Sequence, residues 1–462
     1  MAQATQEQKQ SAGCKPLIAM VGLAVAFLLY VAFLNVGAGG SSLSETNLLF
    51  VTLIFYAGAG ALYLGFSVSG SQSCFKSASL ATWLGLLANT AAAAHRWIHA
   101  GHPPFTNIYE MLLSFVWALA VFTLIAEKTY GVKVIGTITM PITIVGVVLM
   151  QLLRSEVHPL VPLLQSTWLN VHVTLAILAY AACTLSFALA MLFLIQDHMR
   201  TETFLAVSGA GTLAIYSSIV LTCFGRLGGL SLAAWSQNHS LRILFFENHG
   251  LSIAIPVLGG LMLLALLVVA SPLGCFLEIW WTRASNSLAI ANRSVFLSIL
   301  VQCATLILLL AGARDSHSPA IGKPLPTASP FMLTGLVAGV FISLLFLLLV
   351  WRRADLERLL PSADTLDRLT YRTISVAFPL LTVTIATGAY WANQTWGSYW
   401  SWDPKETWAA ITWLVYALYL HMRITVGWRG RRAAYFAIAG FAVVIFTFFG
   451  VTYLLRGMHA FG

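Results

Sequence analysis

Long apolar runs broken by short polar stretches organise the whole chain. Thirteen are long enough to be spans: roughly 17–37, 47–69, 76–95, 109–127, 133–153, 168–196, 204–226, 249–271, 294–312, 331–351, 373–391, 406–425 and 432–455. A helix needs about 20 apolar residues to cross a bilayer. No run alternates with the period of two that marks a half-buried strand. Lipid offers no partners to backbone N–H and C=O groups, so spanning segments must satisfy their own. The pattern predicts an all-α, polytopic transmembrane bundle of about 13 helices.

The breaks divide the chain. Residues 1–16 form a polar tail, and 17–46 an N-terminal span with its loop. Residues 47–203 hold five spans, 204–351 four more, and 352–372 a charged amphipathic loop. Residues 373–462 hold the last three spans. The loop 352–372 reads "RRADLERLLPSADTLDRLTYR", whose leucine spacing predicts a short helix at a membrane surface. The tail shows no export signal ahead of the first span.

Composition agrees: 59% of residues are hydrophobic and 9% charged, against roughly a quarter charged in soluble domains. The net charge of +9 raises the question of nucleic acid, but membrane topology accounts for it. With the N-terminus cytoplasmic and thirteen crossings, 17 of the 25 Lys and Arg residues fall inside, as the positive-inside rule requires. Lipid is thus the expected environment and no nucleic-acid partner is expected. The C-terminus and the loops 96–108, 154–167 and 391–405 fall outside. The six cysteines show no C-x-x-C pair and predict neither a disulfide framework nor a thiol redox motif.

One polar break is unlike the others. Residues 391–413, "WANQTWGSYWSWDPKETWAAITW", hold six of the fifteen tryptophans. An interfacial aromatic belt accounts for two or three. It does not call for the interleaved Gly397, Asp403, Pro404 and Lys405. A flat apolar ligand with polar edges does, since tryptophan faces offer rigid stacking surface. Haem fits: a planar macrocycle, two propionates, and an iron that takes axial nitrogen ligands. His172 and His459, both placed outside, would complete a bis-imidazole site. Taken singly, His172 reads as a hydrogen-bonded interfacial residue, His459 as an exposed terminal one and His102 as a loop-shaping one. His421, inside a span, divides between a snorkelling residue and one that faces a partner or cavity.

The segment "WANQTWGSYWSWDPKETWAAITWLVYALYLHMR" resembles the WWD signature of haem-handling proteins. "RWIHAGHPPFTNIYEMLLSFVW", "LLQSTWLNVHVTLAILAY", "LLPSADTLDRLTYR" and "FFGVTYLLRGMHAFG" narrow the likeness to the CcsA/ResC cytochrome c biogenesis family. The resemblance covers roughly 47–200 and 355–462. It implies a cytochrome c synthetase subunit, of holocytochrome-c synthase (haem lyase) type, that moves haem b to the outer face. There it positions haem for thioether attachment to C-x-x-C-H apocytochromes c. The implied partners are a CcsB/ResB-like membrane subunit and the apocytochrome, with a thiol-reducing thioredoxin-like protein. The implied location is a bacterial inner membrane, or a thylakoid membrane in a plastid.

By the same resemblance, Trp391, Trp396, Gly397, Trp400, Trp402, Asp403, Pro404, Glu406 and Trp408 form the haem surface. His172 and His459 ligate iron there, and His421 holds haem on its way across. Side-chain nucleophiles are not implied. The chain departs from the family pattern in its first span, in the four spans of 204–351, and at Thr452, where Asn is common. The alternative function is a haem exporter or chaperone that forms no thioethers. A b-type electron-transfer protein would place paired histidines on facing helices, and a solute transporter would show broken helices at midplane. Neither pattern is present.

Overall fold

The computed structural model describes residues 44–152, 164–198 and 347–451, with short stretches at 240–243, 253–256, 297, 299–301 and 344–345. The expected first span, most of 204–351, and His459 lie outside the described residues. The chain divides into two units, Met1–His198 with Ala354–Gly462, and Met199–Arg353.

The first unit is helical. Its elements are α1 (Glu45–Ser69), α2 (Gln72–Ala100), α3 (Ile108–Tyr130), α4 (Gly136–Leu152) and α5 (Thr167–Gln196). They continue as α6 (Arg353–Leu359), α7 (Ala363–Trp396), α8 (Pro404–Ile424) and α9 (Arg431–Ile445), which runs on as a π turn to Gly450. Among the described residues, α1, α3, α5, α7 and α9 with its π turn are long and apolar enough to cross a membrane. The chain is a multi-pass helical membrane protein.

α5 sits at the centre. It packs along α7 over most of its length and also touches α9 and α3. From Ala181 to Ile195 every residue is buried, which explains why this run is apolar on all sides. At one end of the unit, Phe105 and Leu164 pack with Trp391 and Trp396 against Leu169 and Val173. The segments leading into α3 and α5 thus meet the end of α7 at the tryptophan-bearing end.

Two helices outrun their apolar runs. α2 continues through His95, Arg96 and His99 to Ala100, so the loop begins at Gly101 rather than at 96. Arg96 can stay helical because Glu110 Oε1 accepts from its Nε at 2.9 Å and Glu45 Oε2 from its Nη1 at 3.4 Å. α7 begins at Ala363, inside the stretch read as a loop, and continues through Trp396. Its charged start is held because Asp367 accepts from both Arg423 Nη1 and Nη2, at 2.9 and 2.5 Å. Asp367 Oδ1 also accepts from Gly430 N at 3.0 Å. A hydropathy window counts such charges against a span, whereas a paired charge costs less.

In the second unit, Ser240–Ile243 pairs antiparallel with Ile253–Pro256. Strands of four residues are too short to show an alternation in sequence. Cys74 is disulfide-bonded, against the expectation of no disulfide; pairing follows from proximity in the fold, which spacing does not reveal. Cys183 is a free, buried thiol.

Candidate functional site

The tryptophan segment is a helix stop, a short turn and a helix start. α7 ends at Gly397, whose φ of +75° is left-handed and whose N–H donates to Asn393 O at 2.9 Å. A residue with Cβ is strained there, which explains the glycine. α8 starts with Asp403 as N-cap, Pro404 in its first turn and Glu406 closing a capping box. Asp403 Oδ2 accepts from Lys405 N at 3.0 Å. Glu406 Oε2 accepts from Ser401 N at 2.8 Å, Ser401 Oγ at 3.0 Å and Asp403 N at 3.3 Å. Between these anchors Trp402 adopts φ +58°, a conformation that costs energy for a bulky residue and tends to mark functional turns. Trp402 is 75% exposed.

Asp403, 6% exposed, therefore holds the turn shut. Replacing an N-cap carboxylate by Ala costs about 1 kcal/mol. Asp403→Ala is expected to open the 397–403 turn, raising its rate of limited proteolysis about fivefold if cleavage follows the open population. Asp403→Asn keeps an acceptor oxygen and should cleave near the wild-type rate. Equal, slow cleavage of both variants would show that the cap does not hold the turn.

Beside the turn lies a cleft whose lining is mostly apolar. Its walls include His172, Tyr180, Gly388, Trp391, Trp400, Lys405, Glu406 and Phe448. Of the nine residues expected on the haem surface, Trp391, Trp400 and Glu406 line it. The structure does not bring Trp396, Gly397, Trp402, Asp403, Pro404 or Trp408 to its walls. Gly397, Asp403 and Pro404 shape the turn instead. Trp391 is 2% exposed and sits edge-on to Trp396 at 4.9 Å. Trp408 stands 4.3 Å from Phe446, and Trp400 meets Trp402 edge-on at 5.8 Å.

His172 lies early in α5, on the cleft wall. Its Nδ1 is 2.8 Å from Thr384 O. A carbonyl only accepts, so Nδ1 carries the hydrogen, and in the neutral ring Nε2 carries the lone pair. That tautomer is the one a metal needs, and the backbone bond fixes the ring plane. The ring lies against Gly388: a Cβ there would come within 2.7 Å of His172 Cε1 and Nδ1. Thr384 and Gly388 are positioning features that sequence reading missed. They lie about 212 residues along the chain from His172, and no local pattern couples them to it.

The other histidines separate. His421 is exposed in the last turn of α8, its Nδ1 3.4 Å from Thr425 Oγ1. Sixteen residues of helix place it about 24 Å from Lys405. It belongs to a different place from the cleft, on a face that also exposes Leu414 and Leu418. His102 is buried and its Nδ1 donates to Pro103 O at 3.0 Å, a loop-shaping role. Lys405 is pushed below the ordinary lysine range by burial, with the Asp403 charge opposing.

Comparison with known proteins supplies a family. Residues 105–459 match the model of the cytochrome C assembly protein family. That span takes in His172, the tryptophan segment, His421 and His459. The chain is 32% identical over 424 residues to a cytochrome c biogenesis protein CcsA of Nostoc punctiforme, covering 90% of this chain and 95% of that one. It is 31% identical over 386 residues to a CcsA of Gloeobacter violaceus, covering 83% and 85%. It is 32% identical over 378 residues to a CcsA of Synechocystis sp., covering 81% and 84%. A match over most of both chains, by a helical membrane protein with a capped tryptophan turn, places this chain in the cytochrome c assembly protein family, among the CcsA proteins.

Proposed function

We propose that this chain is the haem-handling subunit of a cytochrome c synthetase. The observation that carries the reading is the ring of His172, held in the metal-competent tautomer on the wall of a tryptophan-lined cleft. His459 supplies the second axial nitrogen. The charge asymmetry puts this end outside and the N-terminus in the cytoplasm. His421, near the opposite end of α8, then holds haem earlier on its route. Its exposed face is open to a CcsB/ResB-like subunit that brings the other ligand.

The apocytochrome presents a C-x-x-C-H segment to haem b. Each thiol sulfur bonds to one vinyl carbon, its hydrogen goes to the other, and the vinyl double bond becomes single. No net electron is transferred. The chemistry belongs to the thiols and the haem. The protein contributes position, which removes much of the barrier of a bimolecular step.

The test is to co-express the chain, a CcsB-like subunit and a C-x-x-C-H apocytochrome. The expected product is haem that stays with the cytochrome after acid–acetone extraction. His172→Ala and His459→Ala should each lose most of the six-coordinate haem spectrum, with added imidazole restoring it. If both variants keep a wild-type spectrum and full synthesis, the ligand assignment is wrong. Haem delivered without a covalent bond favours the exporter or chaperone reading. Full synthesis by the chain without the CcsB-like subunit removes the partner.

A further inference from the structure

Lys405 brings a cation into the cleft. It is the second residue of α8, and its backbone N–H is used by the cap, donating to Asp403 Oδ2. Lys405 lines the same cleft as His172, Trp391 and Trp400. Among the described residues, its ammonium makes no hydrogen bond and no ion pair.

The nearby carboxylates are committed elsewhere. Glu406 Oε2 already takes three donors from Ser401 and Asp403, and Asp403 caps the helix. The helix start offers an anion little else, because Pro404 has no N–H and the capping box occupies the next amides. The Lys405 ammonium is half-buried, with the Asp403 charge nearby and no described acceptor hydrogen-bonded to it. Its placement on the cleft wall fits a ligand that offers a carboxylate to accept from it.

We propose that Lys405 anchors a carboxylate of the bound ligand, namely a propionate of haem. The assignment rests on the function proposed above. Haem carries its propionates on one half of the macrocycle and its vinyl groups on the other. A lysine that grips the propionate half turns the vinyl half away from the start of α8. Lys405 is then a positioning residue that decides which edge of the haem meets the incoming thiols.

The probes are haem and its dimethyl ester, whose propionates are neutral, titrated into the full-length protein in detergent micelles. Binding is read from the Soret band of the His172-ligated form. Wild type is expected to bind haem about tenfold or more tighter than the ester, the usual worth of one charge-assisted contact. Lys405→Met keeps the aliphatic stem and should bring haem down to the ester's affinity while leaving the ester unchanged. Lys405→Arg should keep the preference. A Lys405→Met protein that loses both probes equally, or neither, overturns the assignment and leaves the function reading intact. A wild type that binds neither probe through His172 overturns both.

Discussion

Gly388→Ala is expected to strip the cleft of its ligand while leaving the protein folded. The new Cβ would sit 2.7 Å from His172 Cε1 and Nδ1, closer than real Cβ contacts, so something must move. The backbone of α7 is locked against α5 along most of its length. The imidazole is the end of a rotatable side chain, and it is the part that gives way. Ala is also a better helix former than Gly by about 1 kcal/mol, so the helix does not resist the change. The ring leaves its place and loses the 2.8 Å bond from Nδ1 to Thr384 O. With it go the fixed tautomer and the fixed direction of Nε2. A displacement of about 1 Å can cost roughly 100-fold where rate depends on position. The expected result is normal membrane level by immunoblot, with a haem content and rate of holocytochrome formation close to those of His172→Ala. Small soluble imidazole should restore the spectrum, because the space for haem is intact. Wild-type haem content and rate in Gly388→Ala would show that His172 is not held by this contact, or is not a ligand.

Glu110→Ala is expected to produce the opposite outcome, loss of the protein itself. Arg96 and Glu110 are each 1% exposed. Removing Glu110 takes from the buried Arg96 its closer carboxylate, and a lost hydrogen bond to a charged group costs about 1.5–3 kcal/mol. Glu45 does not replace the lost carboxylate: it is shared with Tyr109, whose hydroxyl donates to Glu45 Oε1 at 2.6 Å. Glu110 also accepts from Thr106 N at 2.9 Å and Thr106 Oγ1 at 2.7 Å, so the 101–107 loop loosens as well. The variant should fall sharply in steady-state level and unfold in detergent at a lower temperature. The double variant Arg96→Leu, Glu110→Leu should recover part of the loss, since neither member of the most buried pair is left without the other. If Glu110→Ala matches wild type in level and unfolding temperature, the pair does not hold the tryptophan-bearing end together.

The sequence by itself determined the helices of the first unit and the form of the tryptophan turn. Both are local. A run of apolar residues declares a span whatever packs on it, and the observed α1, α3, α4, α5, α8 and α9 begin within a few residues of their runs. Gly397 at a helix end, and Asp403, Pro404 and Glu406 at a helix start, act on neighbours at most five positions away.

Tertiary structure alone decided the rest. α5 is apolar on every side, so its sequence does not tell which face meets α7. Only the packed pair sets His172 on Gly388 and aims its Nδ1 at Thr384. The same holds for Arg96 and Asp367, whose charges argued against helix until their partners on other helices were in place. It holds for the tryptophans too: one chain segment sends Trp391 and Trp400 to the cleft and Trp402 outward. Hydropathy fixes where a chain enters and leaves the membrane, while the rotation of each helix about its axis is set by what packs against it.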